Sequence, residues 1–208
     1  MSVKKMASVA GVFAALGGGS SGQLPAIVGP MEHLLISYDG SSLSVSLDPN
    51  ADPSANVLDD QDGAVYDGNA SVLSGRMIND QYGWLANGFI QLGSGEGIWV
   101  EALSVSDGLD VYEGGMRPML ANHSYSAILG TEGSSGLWQW SGTMTHNWYA
   151  ADEAGLYEAT YRVFVGDAVT GADLGIASDT VTLSFVAIPA PASAALVGLG
   201  LFGIARRR

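Results

Sequence analysis

The sequence predicts an all-β protein, a single antiparallel β-sandwich without disulfides over residues 23–188. Three observations carry that expectation. No eleven-residue window in this span shows a clean 3.6-residue apolar period. Apolar residues instead alternate with polar ones in short runs, and Gly- and Asp-rich turns separate these runs into about eight to ten strands. The chain of 208 residues has no cysteine, so neither a disulfide framework nor a thiolate metal site is available and the core must carry the stability.

Taken in order, His33 to Tyr38 reads as a short apolar strand and Asp39-Gly40 as a hairpin turn. Leu43, Val45 and Leu47 alternate with serines, as in a half-buried strand. Residues 48–69 read as a solvated loop. Its Asp48, Asn50, Asp52 and Asp59 have the spacing of a calcium loop, but Pro53 stands where the sharp turn needs glycine and no glutamate closes the site. Residues 72–84 show no helical face. Strand character resumes at Ile98-Trp99-Val100, Leu103 and Val105, and again at Leu109 to Tyr112, which Gly114-Gly115 ends. His123 to Leu129, Leu137 to Trp140 and Thr143 to Trp148 read as further strands. Tyr157, Ala159, Tyr161, Val163 and Val165 fall on one face of a long strand, with Glu158, Thr160 and Arg162 on the other. Val181, Leu183 and Phe185 form the last alternating run and lead into Pro189. The Asp152, Gly155 and Tyr157 spacing resembles the tyrosine corner of immunoglobulin-like domains, which implies an Ig-like, disulfide-free sandwich.

The two ends differ from this middle. In residues 1–22, Lys4 and Lys5 precede an apolar run from Met6 to Leu16, and small residues from Gly17 to Gly22 follow; this is the order of a signal peptide. At the other end, Pro189-Ala190-Pro191 precedes an uncharged apolar segment, 192–205, and Arg206, Arg207 and Arg208 close the chain. As a helix that segment spans about 21 Å against a hydrocarbon core of about 30 Å, but three terminal arginines cannot enter a protein core and can snorkel to headgroups. The order predicts a transmembrane helix with a cationic stop.

Pro189, Pro191, the Leu/Gly/Ala-rich segment and the Arg206–Arg208 cluster resemble the PEP-CTERM sorting signal of exported bacterial proteins. Ala190 stands where that family has glutamate. The resemblance implies export, a membrane or cell-surface location in the bacterial envelope, and processing by an exosortase-type enzyme. A second resemblance covers residues 146–165. His146-Asn147-Trp148, followed by Gly155-Leu156-Tyr157 and a strand, is similar to the choice-of-anchor M type of surface protein. Zinc supply controls some relatives of that type.

Charge narrows the function classes. Between residues 23 and 188 there are 21 acidic residues against Arg76, Arg117 and Arg162, a net charge of −18 with no lysine. Nucleic acid is disfavoured as a partner, because binding it requires cations that displace counterions. Catalysis is not expected: no serine sits in a G-x-S-x-G elbow, and no nucleophile has a legible base and orienting group. His33, His123 and His146 are the only histidines. If their strands lie side by side they form a candidate zinc site, with Asp152 or Glu32 as a fourth ligand; the alternative is that each caps a strand. Trp138 and Trp140, two residues apart, share one face, either as a stacking platform for polysaccharide or as core. The expectation is an exported structural or interaction protein, with zinc-binding and carbohydrate-binding roles as alternatives.

Overall fold

A computed structural model describes residues 23–27, 29–52 and 56–189. The expected signal peptide at 1–22, and the sorting tail apart from Pro189, lie outside the described residues. Among the described residues no helix is long and apolar enough to cross a membrane.

The chain is mostly β. Its strands are β1 (Glu32–Tyr38), β2 (Leu43–Leu47), β3 (Val57–Asp59), β4 (Met77–Asn79), β5 (Tyr82–Ala86), β6 (Glu96–Val105), β7 (Leu109–Gly115), β8 (Leu137–Trp140), β9 (Thr145–Ala151), β10 (Gly155–Asp167) and β11 (Asp179–Ile188). All eleven belong to one sheet, in the order β2-β1-β5-β9-β4-β3-β11-β10-β6-β8, with β7 paired to β9. The sheet is mixed, which corrects the antiparallel expectation. β1 pairs with β5 in parallel and β11 pairs with β3 in parallel; both pairs join distant segments, which need no tight hairpin. The remaining pairings are antiparallel. The longest run along β10, where Gly155 to Val163 faces β11 and Ala159 to Asp167 faces β6.

The sheet forks at Asp80-Gln81. β4 and β5 are two halves of one interrupted strand, and both pair with β9. Beyond the break, β4 turns its other edge to β3 and β5 turns its other edge to β1. The two branches meet again through side chains. Trp84 of β5 lies edge-on to Tyr161 of β10 at 5.9 Å between ring centres, and Tyr149 of β9 lies 4.6 Å from Phe185 of β11. These rings belong to the main core, with Leu34, Ile36, Val100, Val163 and Leu183. The edge strand β2 reaches β11 directly: the Leu43 amide donates to the Ala177 carbonyl, and the Val45 amide to the Asp179 carboxylate.

A second core lies on the opposite face of β9. Trp148 and Ala150 pack there with Ile78 of β4 and Tyr112 of β7, under Tyr66, Ala70 and Leu73 from one covering segment and Tyr125 from another. β9 is therefore buried along its whole length, so its sequence carries no alternation. The strand expected over His123–Leu129 is not formed. That segment is irregular, with Tyr125 and Leu129 in the left-handed region (φ 53° and 55°) and a single bridge from Ala127 to Tyr112. Extended pairing cannot run through two such residues.

Candidate functional site

The side chains with chemical potential converge on the outer face of β1, β5, β9 and β7. Register places His33, Gly83, His146 and Gly115 in one row across these four strands. Residues directly opposite one another on paired strands project to the same face. Each glycine leaves room for an imidazole. A Cβ on Gly83 would lie 2.4 Å from His146 Nε2, and one on Gly115 would lie 2.9 Å from His123 Cδ2. The three histidines singled out in the sequence therefore gather along one row, and two glycines make that possible.

Their nitrogens have different fates. His123 is buried, its Nε2 lies 3.1 Å from the Met116 carbonyl, and Trp148 Nε1 donates to its Nδ1 at 3.0 Å. A carbonyl only accepts and an indole N–H only donates, so the ring is neutral, protonated at Nε2, and has no lone pair left for an ion. Burial lowers its pKa from the usual histidine value. His146 is fully buried, and its Nδ1 donates to the Asp80 carbonyl at 2.8 Å. Burial, opposed by that carbonyl, brings its pKa down to about 4. Its Nε2 has no hydrogen-bond partner, and neither has the buried Nε2 of His33. The two rings stand edge to face, 5.9 Å between centres.

Beside this row lies a buried polar corner built on the fork. Asp80 and Arg117 form a two-pronged ion pair, Nε to Oδ2 and Nη2 to Oδ1, both at 2.9 Å, with each side chain only 4% exposed. Arg117 Nη1 also donates to the Gly29 carbonyl, which ties the 116–119 segment to the start of the domain. Asn79 Nδ2 donates to the Val57 carbonyl and to Gln81 Oε1, and its own oxygen accepts from the Gln81 amide. A cleft of about 230 Å³ opens above this corner, lined by Asn79, Asp80, Gln81, Asp59 and Trp148.

The expected fourth ligands are engaged elsewhere. Asp152 is paired to Arg76 at 2.7 Å, and Glu32 Oε1 accepts from the Asp52 amide. Among the described residues, no group of three or more His, Asp or Glu side chains is arranged to hold a metal ion. Trp138 and Trp140 share a face as expected, but that face is the core: they are 7% and 3% exposed. Their indole N–H groups donate to Glu113 Oε1 and to the Thr143 carbonyl. In the 48–69 loop, Asp48 accepts from the Asn50 amide, a local turn bond.

Sequence reasoning did not single out Asp80, Arg117, Gly83 or Gly115. One signal was available for Arg117. In a segment with so few cations, each arginine is a candidate for a structural pair, and all three form one: Arg76 with Asp110 and Asp152, Arg117 with Asp80, Arg162 with Glu101 and Asp173. The glycines gave no signal, because only register reveals which imidazole crosses which glycine.

No family model matches this chain, and no curated protein or solved structure matches it.

Proposed function

We propose that this chain is an exported protein held at the membrane or cell surface of the bacterial envelope by its C-terminal tail, where it acts as a structural or interaction module. The observation that carries the reading is the use made of its polar side chains. All three arginines of residues 23–188 are held in ion pairs, and the buried polar corner is knitted to itself. Such an interior supports a scaffold. The acidic surface that remains suits a solvated, exported face. β11 runs to Ile188 and straight into Pro189, so a tail anchor would leave the domain with no linker.

Within this reading the forked sheet is a β-sandwich, its two branches facing across Trp84, Tyr161, Tyr149 and Phe185. Its Ig-like character is supported by the Tyr157 hydroxyl, which donates to the Glu153 carbonyl at 2.9 Å, as a tyrosine corner requires. Polysaccharide contact is a second reading, and Phe89 favours it. That ring is 86% exposed at the rim of a cleft of about 510 Å³ that also holds Tyr38, Gln91 and Glu96.

Deleting Pro189–Arg208 and fractionating the cells tests the anchor. The truncated protein is expected to leave the membrane fraction. Equal membrane retention of both forms would remove the tail from the argument and with it the proposed location. Processing by an exosortase-type enzyme predicts, in addition, a mass loss at the Pro189-Ala190-Pro191 region in the exporting host.

A further inference from the structure

We propose that the end of the sheet from which the tail departs is a membrane-contact surface, in which Leu156 and Ile188 rest against the headgroups of a neutral, zwitterionic bilayer. The inference deepens the proposed location and rests on the reading of residues 192–205 as a membrane segment. It concerns the chain before any cleavage at Pro189-Ala190-Pro191.

Strand register carries it. Val57 of β3, Val186 of β11 and Leu156 of β10 stand opposite one another in one row across three adjacent strands. Residues opposite each other on paired strands project to the same face. Here that face is the outer one. Leu156 is 81% exposed, Val57 and Val186 are half-buried, and Ile188, two residues beyond Val186 on the same face, is 51% exposed. Further along this face both long strands turn polar, with Glu158, Thr160 and Arg162 on β10 and Ser184, Thr182 and Thr180 on β11. The apolar cluster is therefore confined to the end of the sheet at which Pro189 follows. Single exposed apolar residues are ordinary, whereas a cluster rimmed by polar side chains marks a contact surface.

Chain length identifies what meets the cluster. Four residue steps separate Ile188 from Ala192, where the uncharged apolar segment begins, and at full extension they span about 14 Å. Leu156 lies diagonally across from Ile188, about 7–8 Å away. The headgroup layer of each leaflet is about 5–7 Å deep. A bilayer that takes up residues 192–205 therefore brings its headgroups within reach of both side chains. Charge selects the lipid. Asp59 stands opposite Ile188 in the register, Glu158 follows Leu156 on the same face, and Glu153 lies in the turn before β10. Carboxylates at this end disfavour an anionic surface. A zwitterionic headgroup brings no net negative charge against them.

The chain has no cysteine, so a single introduced cysteine reports on one position. Leu156→Cys, Ile188→Cys, Thr182→Cys and Val169→Cys, each carrying an environment-sensitive fluorophore, are made in the full-length chain and in the same chain lacking Pro189–Arg208. Thr182 shares the outer face of β11, and Val169, 87% exposed, follows the far end of β10. The probe is a phosphatidylcholine vesicle with bromine at the top of its acyl chains. In the full-length chain, quenching at positions 156 and 188 is expected to exceed that at 182 and 169 at least threefold. Flotation with the vesicles separates this inference from the anchor it rests on. If the full-length chain floats no better than the truncated one, the anchor fails and the contact with it. If flotation depends on the tail but the four labels are quenched alike, or none is quenched, the anchor stands and the contact surface is overturned. Shielding of the label at 156 from iodide in the truncated chain without lipid would mean that a second copy covers the cluster, which would also overturn it.

Discussion

Gly83→Ala isolates the packing on which the histidine row depends. The backbone at Gly83 is not in the left-handed region, so alanine meets no conformational barrier there and gains the usual advantage over glycine in a strand. The cost is steric. The new methyl carbon would lie 2.4, 2.6 and 2.7 Å from Nε2, Cε1 and Cδ2 of His146. The ring cannot retreat into solvent, because it is fully buried and its Nδ1 is held by the Asp80 carbonyl. Overpacking of this kind costs about 1–3 kcal/mol, and displacing the ring loses a buried hydrogen bond worth about 1 kcal/mol more. The expected loss is about 2–4 kcal/mol. His146→Ala alone should cost a similar amount, about 3 kcal/mol, through its cavity and the carbonyl it strands. Combined, the two should cost at least about 2 kcal/mol less than their sum, since the methyl then occupies space the imidazole has vacated. Urea denaturation of the purified variants reads all four corners of the cycle, provided the slope with denaturant stays constant. Additivity within about 0.5 kcal/mol would refute the contact between Gly83 and the His146 ring.

Three further outcomes are expected. Stability should rise with pH between about 4 and 6.5, because in that window the unfolded chain binds a proton at His146 that the folded chain excludes. The group contributes about 3 kcal/mol, fully present above pH 6.5 and lost as pH falls toward 4; denaturation midpoints at pH 4.5 and 7.5 check it, and His146→Gln should flatten the slope without abolishing it, since His123 is shifted the same way. Tyr157→Phe should cost about 0.5–1.5 kcal/mol, because the ring is kept and one buried donor to the Glu153 carbonyl is lost; an unchanged midpoint would mean that the bond adds nothing. Arg117→Met should destabilise by about 3–5 kcal/mol by leaving Asp80 charged and buried, and Arg117→Met with Asp80→Leu should recover much of that loss in the same assay.

The sequence was most legible where one face of a strand is wet. β10 and β11 alternate because one set of side chains enters the main core and the other meets solvent, and the expected inward residues, Tyr157 to Val165 and Val181 to Phe185, are buried. β9 hides both faces and so shows no alternation of polar and apolar residues. β3 and β4 have three residues each, too few for a period. The His123–Leu129 segment misled for a different reason. Its alternation reflects a cover laid over Trp148, with Tyr125 stacked on that indole at 6.0 Å, and a cover can alternate without being extended. In the candidate site the histidines were visible by type, but their gathering was not. It depends on the pairing of β1 with β5 and of β9 with β5 and β7, which brings together residues from four separate parts of the chain.

The central position of β11 sets an order of events during synthesis. It is the last strand of the domain to leave the ribosome, yet it lies between β3 and β10, and the residues at its start also hold β2. Until it arrives, β10 has one free edge, β3 has another, and the branch carrying β1 and β2 lacks the bonds it makes to Ala177 and Asp179. Loop closure over such separations is slow, and no local hairpin can substitute for it. A chain built this way remains open, with its seam unmade, for nearly the whole time it is being synthesised. It then closes in one step when the segment immediately before Pro189 becomes available.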